Sequence, residues 1–358
     1  MTYRLSFLRE KFGDLDALVI SSPQNRRFLS GFTGSSGVCL ISRDQALLAT
    51  DFRYYTQVEQ ECRDFELAQV GYDFLGQLPG LLSKLKVKRV GFEKRHITVA
   101  DFEAYKNAAP DVEWVPTENL VEDLRAVKSV AEIETLRHAV KVTDLAFARA
   151  LQTLKPGITE KFFQWAIRRA MFEIDGREPS FDIIVAAGLN GAKPHAHPSD
   201  APIPRGVPIV IDMGALVNGY HADMTRTIVM GEPDDKFCKI YDIVLRAQKT
   251  ALSGIRPGPN GREIDALARD LITQAGYGDH FGHGLGHGVG LNIHEAPSFS
   301  VRATDAPIKK NMVITVEPGI YLPDWGGIRI EDLVVVTETG CEILTETPKD
   351  MESQIIPV

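Results

Sequence analysis

From Ser129 onward the chain states one structural plan twice, and that repetition constrains the fold more than any other feature. Ser129-Val130-Ala131-Glu132 is a helix start, in which the serine can cap the first turn and the glutamate three residues on can reach back to it. The amphipathic run that follows ends at Lys155-Pro156-Gly157, a second helix begins near Thr159, and Gly176 closes it. The plan returns with a helix ending near Gly254, a break at Arg256-Pro257-Gly258, a new start at Asn260 with Glu263, and closure at Gly276. Each helix pair then runs into two strands. Val207 to Met213 and Tyr220 to Met230 flank Asn218-Gly219, a strong hairpin signal; Met312 to Val316 and Ile328 to Val336 follow in the second half across Trp325-Gly326-Gly327. Two such halves related by an approximate two-fold leave a site between them.

The strands carry acids in matching places. Alternation puts Asp212 on a face with Val210, and Asp223 with His221 and Thr225; Glu317 shares a face with Val313 and Thr315, and Glu331 with Arg329. Taken singly, an acid in a strand ordinarily faces solvent. Asp212, however, directly follows Ile209-Val210-Ile211, and Glu317 ends Val313-Ile314-Thr315-Val316, two stretches that read as buried, where acids are rarely left unpaired. Four carboxylates turned into one cleft repel one another and take up protons unless cations hold them, and two divalent ions supply the matching charge. Glu317-Pro318-Gly319 reads as a turn as well.

Phe281 to Glu295 offers a ligand of another kind. Its five glycines and three histidines make a helix costly, so the stretch is expected to be extended or looped. One imidazole added to four carboxylates suits a two-metal centre with bridging carboxylates. Of His283, His287 and His294, the first and last keep a structural hydrogen-bonding role open even with His287 as a ligand.

Residues 1–122 alternate short apolar runs with amphipathic stretches. Ala17 to Ser21, Val38 to Ile41, Ala46 to Ala49, Phe65 to Val70 and Arg89 to Phe92 read as strands; Tyr3 to Phe12, Arg53 to Glu61, Phe74 to Leu85 and Val99 to Ala108 read as helices. The fold class is α/β (α+β), with an α/β domain over 1–122, a boundary within Val115 to Lys128, and a second domain over 123–358. The glycine-rich Gly31 to Gly37 lacks the Lys-Ser/Thr of a phosphate loop and reads as a turn between two strands. At 358 residues and 44% hydrophobic, the chain can fill two cores. Its 48 acidic against 40 basic residues, net charge -8, with no Lys/Arg run, argue against nucleic acid or an anionic membrane as a partner. Cys39, Cys62, Cys238 and Cys341 lie far apart without a CxxC pair, the pattern of reduced thiols, and no apolar run reaches signal-peptide or membrane-span length. A cytoplasmic protein is expected. HExxH, GxSxG and GxGxxG templates are absent.

Together these residues resemble a known family. Asp212-Met213-Gly214, Gly219-Tyr220-His221-Ala222-Asp223, His283-Gly284-Leu285-Gly286-His287-Gly288, His294-Glu295, Glu317-Pro318-Gly319-Ile320-Tyr321 and Gly327-Ile328-Arg329-Ile330-Glu331-Asp332, in that order, look like the aminopeptidase P and prolidase family of pita-bread metallopeptidases. Asn25-Arg26-Arg27-Phe28-Leu29-Ser30-Gly31 and Thr50-Asp51-Phe52-Arg53-Tyr54 are similar to the creatinase-type N-terminal domain of short bacterial Xaa-Pro aminopeptidases. The resemblance covers nearly the whole chain.

What it implies falls on individual residues. Asp212 would chelate one metal ion, His287 and Glu317 the other, and Asp223 and Glu331 would bridge them. Glu317 would also be the base for the attacking water, His294 would donate a hydrogen bond to the substrate, and His195 would line the same cleft. Arg329 would orient Glu331 or nearby groups, with His283, Tyr321 and Thr225 supporting from beside the site. Four hard oxygen donors and one imidazole favour two Mn2+ ions, with Co2+ or Zn2+ as alternatives. The glycines around His287 would let backbone approach the peptide being cut. The expected activity is release of the N-terminal residue from peptides with proline second; the alternative is an Xaa-Pro dipeptidase, and the rival from another class is a catalytically silent pita-bread module that holds peptides. A homodimer is implied as well. One departure stands out: Asn190 occupies a position where many short aminopeptidases P carry arginine, which leaves substrate contacts there open and leans toward dipeptidase-like members.

Overall fold

A computed structural model describes residues 2–357. The chain divides into two compact units, Met1–Arg125 and Ala126–Val358.

The first unit is built on a six-stranded mixed sheet in the order Glu66–Gln69, Ala46–Thr50, Val38–Ser42, Ala17–Ile20, Arg89–Glu93, Glu113–Thr117. Ala17–Ile20 and Ala46–Thr50 are buried along their whole length, as expected of strands covered on both faces. Among the elements not legible in the sequence, two shape this sheet and its flank. The helix Pro23–Ser30 starts with Ser22 accepting from the Asn25 amide and ends at Gly31, whose φ of 85° is the left-handed geometry of a C-cap. The glycine-rich stretch therefore follows a helix rather than a strand. The last strand, Glu113–Thr117, lies partly inside the segment taken as a boundary; its proline at 116 hid it, and it survives because it is an edge.

The second unit carries the repeated plan. Helices Val130–Leu151 and Glu160–Asp175 are followed by a sheet ordered Ile355–Ile356, Met224–Met230, Pro208–Met213, Ile184–Ala187. Helices Asp235–Gly254 and Gly261–Gln274 are followed by a sheet ordered Glu295–Phe299, Gly286–Gly288, Val313–Val316, Asp332–Val336, Cys341–Ile343. Capping boxes are formed at Ser129/Glu132 and Asn260/Glu263, and Gly176 closes its helix in the left-handed region at φ 61°. Each helix pair builds an apolar core: Leu136, Phe147, Phe163 and Ile167 pack with Ile209 and Ile211 and also with Val313 and Leu333 of the second sheet, whereas Phe237, Tyr241, Val244 and Ile264 pack with Ile314 and Val334 and also with Val229 of the first. Burial on this scale, at roughly 25 cal/mol per Å² of apolar surface, holds the strands that carry the acids.

Both hairpins are more divided than their sequences suggested. In the first, a ribbon of Leu216–Val217 against Tyr220–His221 turns at Asn218 and Gly219, both with positive φ. In the second, Ile328 to Val336 is not one strand: Gly326–Arg329 pairs with a strand at Gly319–Leu322, and Asp332–Val336 pairs with Val313–Val316. Asp223 and Glu331 sit at the two breaks, where side chains are freed from strict alternation. Among the described residues no helix is long and apolar enough to cross a membrane.

Candidate metal centre

The two hairpins and the His287 strand converge on a cavity of about 850 Å³, lined among others by Asp212, Asp223, His287, Glu317, Arg329 and Glu331. Asp223, His287 and Glu331 each offer a ligand atom, all lying within 4.8 Å of one another. His287 Nε2 is 3.7 Å from Asp223 Oδ2 and 3.5 Å from Glu317 Oε1. Its other ring nitrogen, Nδ1, lies 3.1 Å from the Gly288 carbonyl, an acceptor only, which fixes the proton on Nδ1 and leaves the Nε2 lone pair toward the acids. The His287 amide donates to Thr315 Oγ1 at 3.0 Å, and Thr315 in turn donates to Glu317 Oε1 at 3.3 Å, so one threonine sets both groups.

Charge in this cluster is unbalanced. Burial, reinforced by the neighbouring carboxylates, pushes Asp223 and Glu331 well above the usual carboxyl range, and burial lifts Glu317 to about 8. His287 is held down to about 4, chiefly by burial, so it is a neutral donor of a lone pair rather than a counter-charge. Asp212 Oδ1 is buried and has no hydrogen-bond partner. Acids that hold protons for want of cations, an unpaired buried carboxylate oxygen and an imidazole lone pair aimed among them fit a divalent-metal centre.

One cation does reach the cluster. Arg329 Nη2 donates to Asp212 Oδ2 at 2.6 Å, Nε to Thr225 Oγ1 at 2.9 Å, and Nη1 to Tyr321 Oη at 2.8 Å and to the Pro194 carbonyl at 3.2 Å. Burial would lower its pKa, but Tyr321 and the acids around it hold it well above its ordinary value. Its direct acidic partner is thus Asp212; it reaches Glu331 only through Thr225, whose hydroxyl donates to Glu331 Oε2 at 2.7 Å. His283 stands behind this group. Its Nδ1 meets the Gly284 carbonyl at 2.8 Å, so Nε2 accepts from the Tyr321 hydroxyl at 3.0 Å, and burial lowers it to about 4. His294 lies over His287, ring centroids 4.1 Å apart, and lines the cavity with His195. Asn190 does not line it: its side-chain amide donates to Glu160 and to the His197 carbonyl.

Two supports were missed in the sequence. Arg226, fully buried, donates through Nη1 to the Glu331 carbonyl at 2.6 Å and through Nη2 to Asp332 at 2.7 Å, where Lys349 also binds. A lone arginine in the apolar run Met224–Met230 was the available signal. Lys128, 1% exposed at its side chain, pairs with Glu295 at 2.8 Å, beside His294; it ends the Val115 to Lys128 stretch that reads as the domain boundary, which gives no signal.

Fold and site together define a metal-dependent hydrolase, and the comparisons name its family. Residues 134–338 match metallopeptidase family M24, and residues 4–127 match the Creatinase/Prolidase N-terminal domain. The chain belongs to the M24 metallopeptidases, with a creatinase-type N-terminal domain and a pita-bread catalytic domain. It is 41% identical to the uncharacterised peptidase YqhT of Bacillus subtilis, over 97% of this chain and 99% of that one. A solved Xaa-Pro dipeptidase from Bacillus anthracis is 40% identical with a TM-score of 0.96, covering 100% of this chain and 99% of the other. An X-Pro aminopeptidase from Thermotoga maritima is also 40% identical, TM-score 0.90, covering 98% and 99%.

Proposed function

We propose that this protein hydrolyses Xaa-Pro bonds with two divalent ions, most readily Mn2+, held by Asp212, Asp223, His287, Glu317 and Glu331, and that it releases the N-terminal residue from peptides with proline second. The observation that carries the reading is the gathering of Asp223, Glu317 and Glu331 about His287, with Asp212 on the same cavity, in a chain that matches Xaa-Pro peptidases end to end. Bound divalent ions supply positive charge that makes deprotonated water available near neutral pH and stabilises an oxyanion. Glu317 takes the proton of the attacking water and delivers it to the leaving proline nitrogen. His294, above His287, donates to the substrate carbonyl, and His195 borders the bound peptide. Arg329 keeps Asp212 and, through Thr225, Glu331 in register. Phe181, Ile183, Ile184 and Ile293 give the cavity an apolar wall suited to a pyrrolidine ring.

Prolidase activity, cleavage of Xaa-Pro dipeptides alone, is the second reading, and the Bacillus anthracis relative favours it. A strict dipeptidase must hold a free terminal carboxylate. The two permanent cations lining the cavity are engaged, Arg329 with Asp212 and Lys161 with Asp200 at 2.6 Å, which supports longer peptides. The four free cysteines support a cytoplasmic setting, and a homodimer follows from the family resemblance. The test is metal content by mass spectrometry together with cleavage of Xaa-Pro and Xaa-Pro-Yaa peptides by the Mn2+-loaded protein. Release of Xaa from the tripeptide is expected; cleavage of the dipeptide alone selects the prolidase reading, and no cleavage of either with metal bound sinks both in favour of a silent peptide-binding module.

A further inference from the structure

Outside the metal cluster, one buried acid is used by nothing described so far. Glu160, 3% exposed, accepts four hydrogen bonds: Oε1 from the Ala187 amide at 2.7 Å, and Oε2 from Asn190 Nδ2 at 2.9 Å, the Ser199 amide at 2.8 Å and the Ser199 hydroxyl at 2.7 Å. No cation among the described residues pairs with it; the adjacent Lys161 turns to Asp200. An acid in the first turn ordinarily serves its own helix, through the dipole or the cap. Here Thr159 already caps the helix by accepting from the Phe162 amide, and Glu160 faces away from it.

The four donors share one property: they come from both ends of the segment 187–199, which carries His195 and His197 to the cavity. Asn190 spends its second amide hydrogen on the His197 carbonyl at 3.0 Å, so the carboxylate fixes that histidine's backbone through one intermediary. On the cavity side the same segment is met by Arg329, which donates to the Pro194 carbonyl. The loop is therefore pinned from two directions, by an anion behind it and by the cation of the metal cluster in front. We infer that Glu160 is a positioning residue for substrate binding: its carboxylate clasps the 187–199 loop closed and so sets His195 against the peptide. An acceptor-only group suits four converging donors, and no neutral side chain of the same shape can replace it. In a Glu160→Gln protein either the Ala187 amide or the Ser199 amide faces an N–H, and Asn190 can adapt only by releasing His197.

The inference uses the proposed peptidase activity for one readout and needs no activity for the other. In the Mn2+-loaded protein, Glu160→Gln should raise KM for an Xaa-Pro-Yaa peptide about tenfold, the worth of one hydrogen bond to a charged group, with kcat and bound metal held. Amide exchange across 187–199 should quicken while the Val313–Val336 strands stay protected. In a His195→Ala background, Glu160→Gln should cost nothing further in KM, because the two act as one unit. The backbone pairs Lys161 to Ser199 and Ile203 to Ile158 keep helix and loop joined without the carboxylate, so the variant should fold. Should it not, Asn190→Ala, at a partly buried site, must give the same pattern in milder form. Equal KM losses with and without His195, loss of metal, or unchanged exchange in 187–199 would each overturn the assignment. If the wild-type protein cleaves no Xaa-Pro peptide, that refutes the peptidase reading, and the exchange result alone decides the role of Glu160.

Discussion

The two halves of the catalytic unit share a frame and fill it differently. In each, a strand leaves its sheet into a short ribbon and its continuation returns to pair with it: Pro208–Met213 with Met224–Met230, and Val313–Val316 with Asp332–Val336. In each, the strand on the other side of the first leads into a segment that brings a histidine to the cavity: His195 after Ile184–Ala187, and His294 after Gly286–Gly288. The filling breaks the symmetry. Against Asp212 the first half sets Ile184, an apolar wall, whereas the corresponding strand of the second half carries His287. The first ribbon contributes no residue to the cavity lining, while the second carries Arg329 into it with Tyr321 behind. The repeated plan thus accounts for acids placed in pairs, whereas the imidazole set among those acids, His287, and the guanidinium bonded to one of them, Arg329, both come from the second half.

The largest effect should test the part the halves share. Asp223→Ala and Glu331→Ala, at the equivalent breaks in the two hairpins, should each abolish cleavage and lower metal content measured by mass spectrometry; one variant keeping full metal would break the equivalence. Next come the paired histidines. His294→Ala should lower kcat about 10²–10³-fold, the cost of removing a transition-state donor, with metal retained. His195→Ala should act mainly on KM, and loss of metal in the His294 variant would remove that residue from the substrate side. Arg329→Lys should cost about 10–100-fold in kcat/KM, as expected of a group that orients ligands. An ammonium cannot reach Asp212, Thr225, Tyr321 and the Pro194 carbonyl together, and wild-type kinetics in this variant would show that the asymmetry is not functional.

Much of this was legible in the sequence because it depends on local rules. Both capping boxes, the Asn218-Gly219 turn and the acids ending apolar strands follow from spacing alone, and the family resemblance added which imidazole to choose. What stayed hidden depends on contacts distant in sequence. Arg329 is expected to orient Glu331 or nearby groups, but spacing could not say that it bonds Asp212 directly, more than a hundred positions away, and meets Glu331 through Thr225. The glycines flanking His287 were expected to admit the substrate; a Cβ at Gly286 would fall 2.0 Å from the Thr315 carbonyl oxygen and one at Gly288 2.1 Å from that of Ala296. Those two glycines let three strands of the protein's own sheet pass closely, and their spacing could not tell one backbone neighbour from another. Asn190 leaves substrate contacts open in the sequence; only the position of Glu160 shows its amide turned to that carboxylate and to the His197 carbonyl.

The smallest effect concerns stability, and it asks whether protons stand in for cations among the acids. Glu317 titrates near 8 in the folded metal-free protein and near 4.5 when unfolded. Below the lower value both states hold the proton and nothing is contributed; between the two, the folded state keeps a proton that the unfolded state has released, so stability falls as pH rises. Above about 8 both states are ionised and the penalty stops growing. Asp223 and Glu331, also raised, act in the same direction. His283 and His287, lowered to about 4, act in the opposite one, but only below about 6.5, where the unfolded chain takes up protons they refuse. From pH 6.5 to 8 the carboxyls act alone, and each retained proton should cost about 1.4 kcal/mol of unfolding free energy per pH unit. Denaturant melts of the chelated protein should show that decline, and Mn2+ should flatten it, because bound cations replace the protons. A metal-free protein equally stable at both pH values would mean that the cluster ionises freely without metal, and that protons do not stand in for cations among these acids.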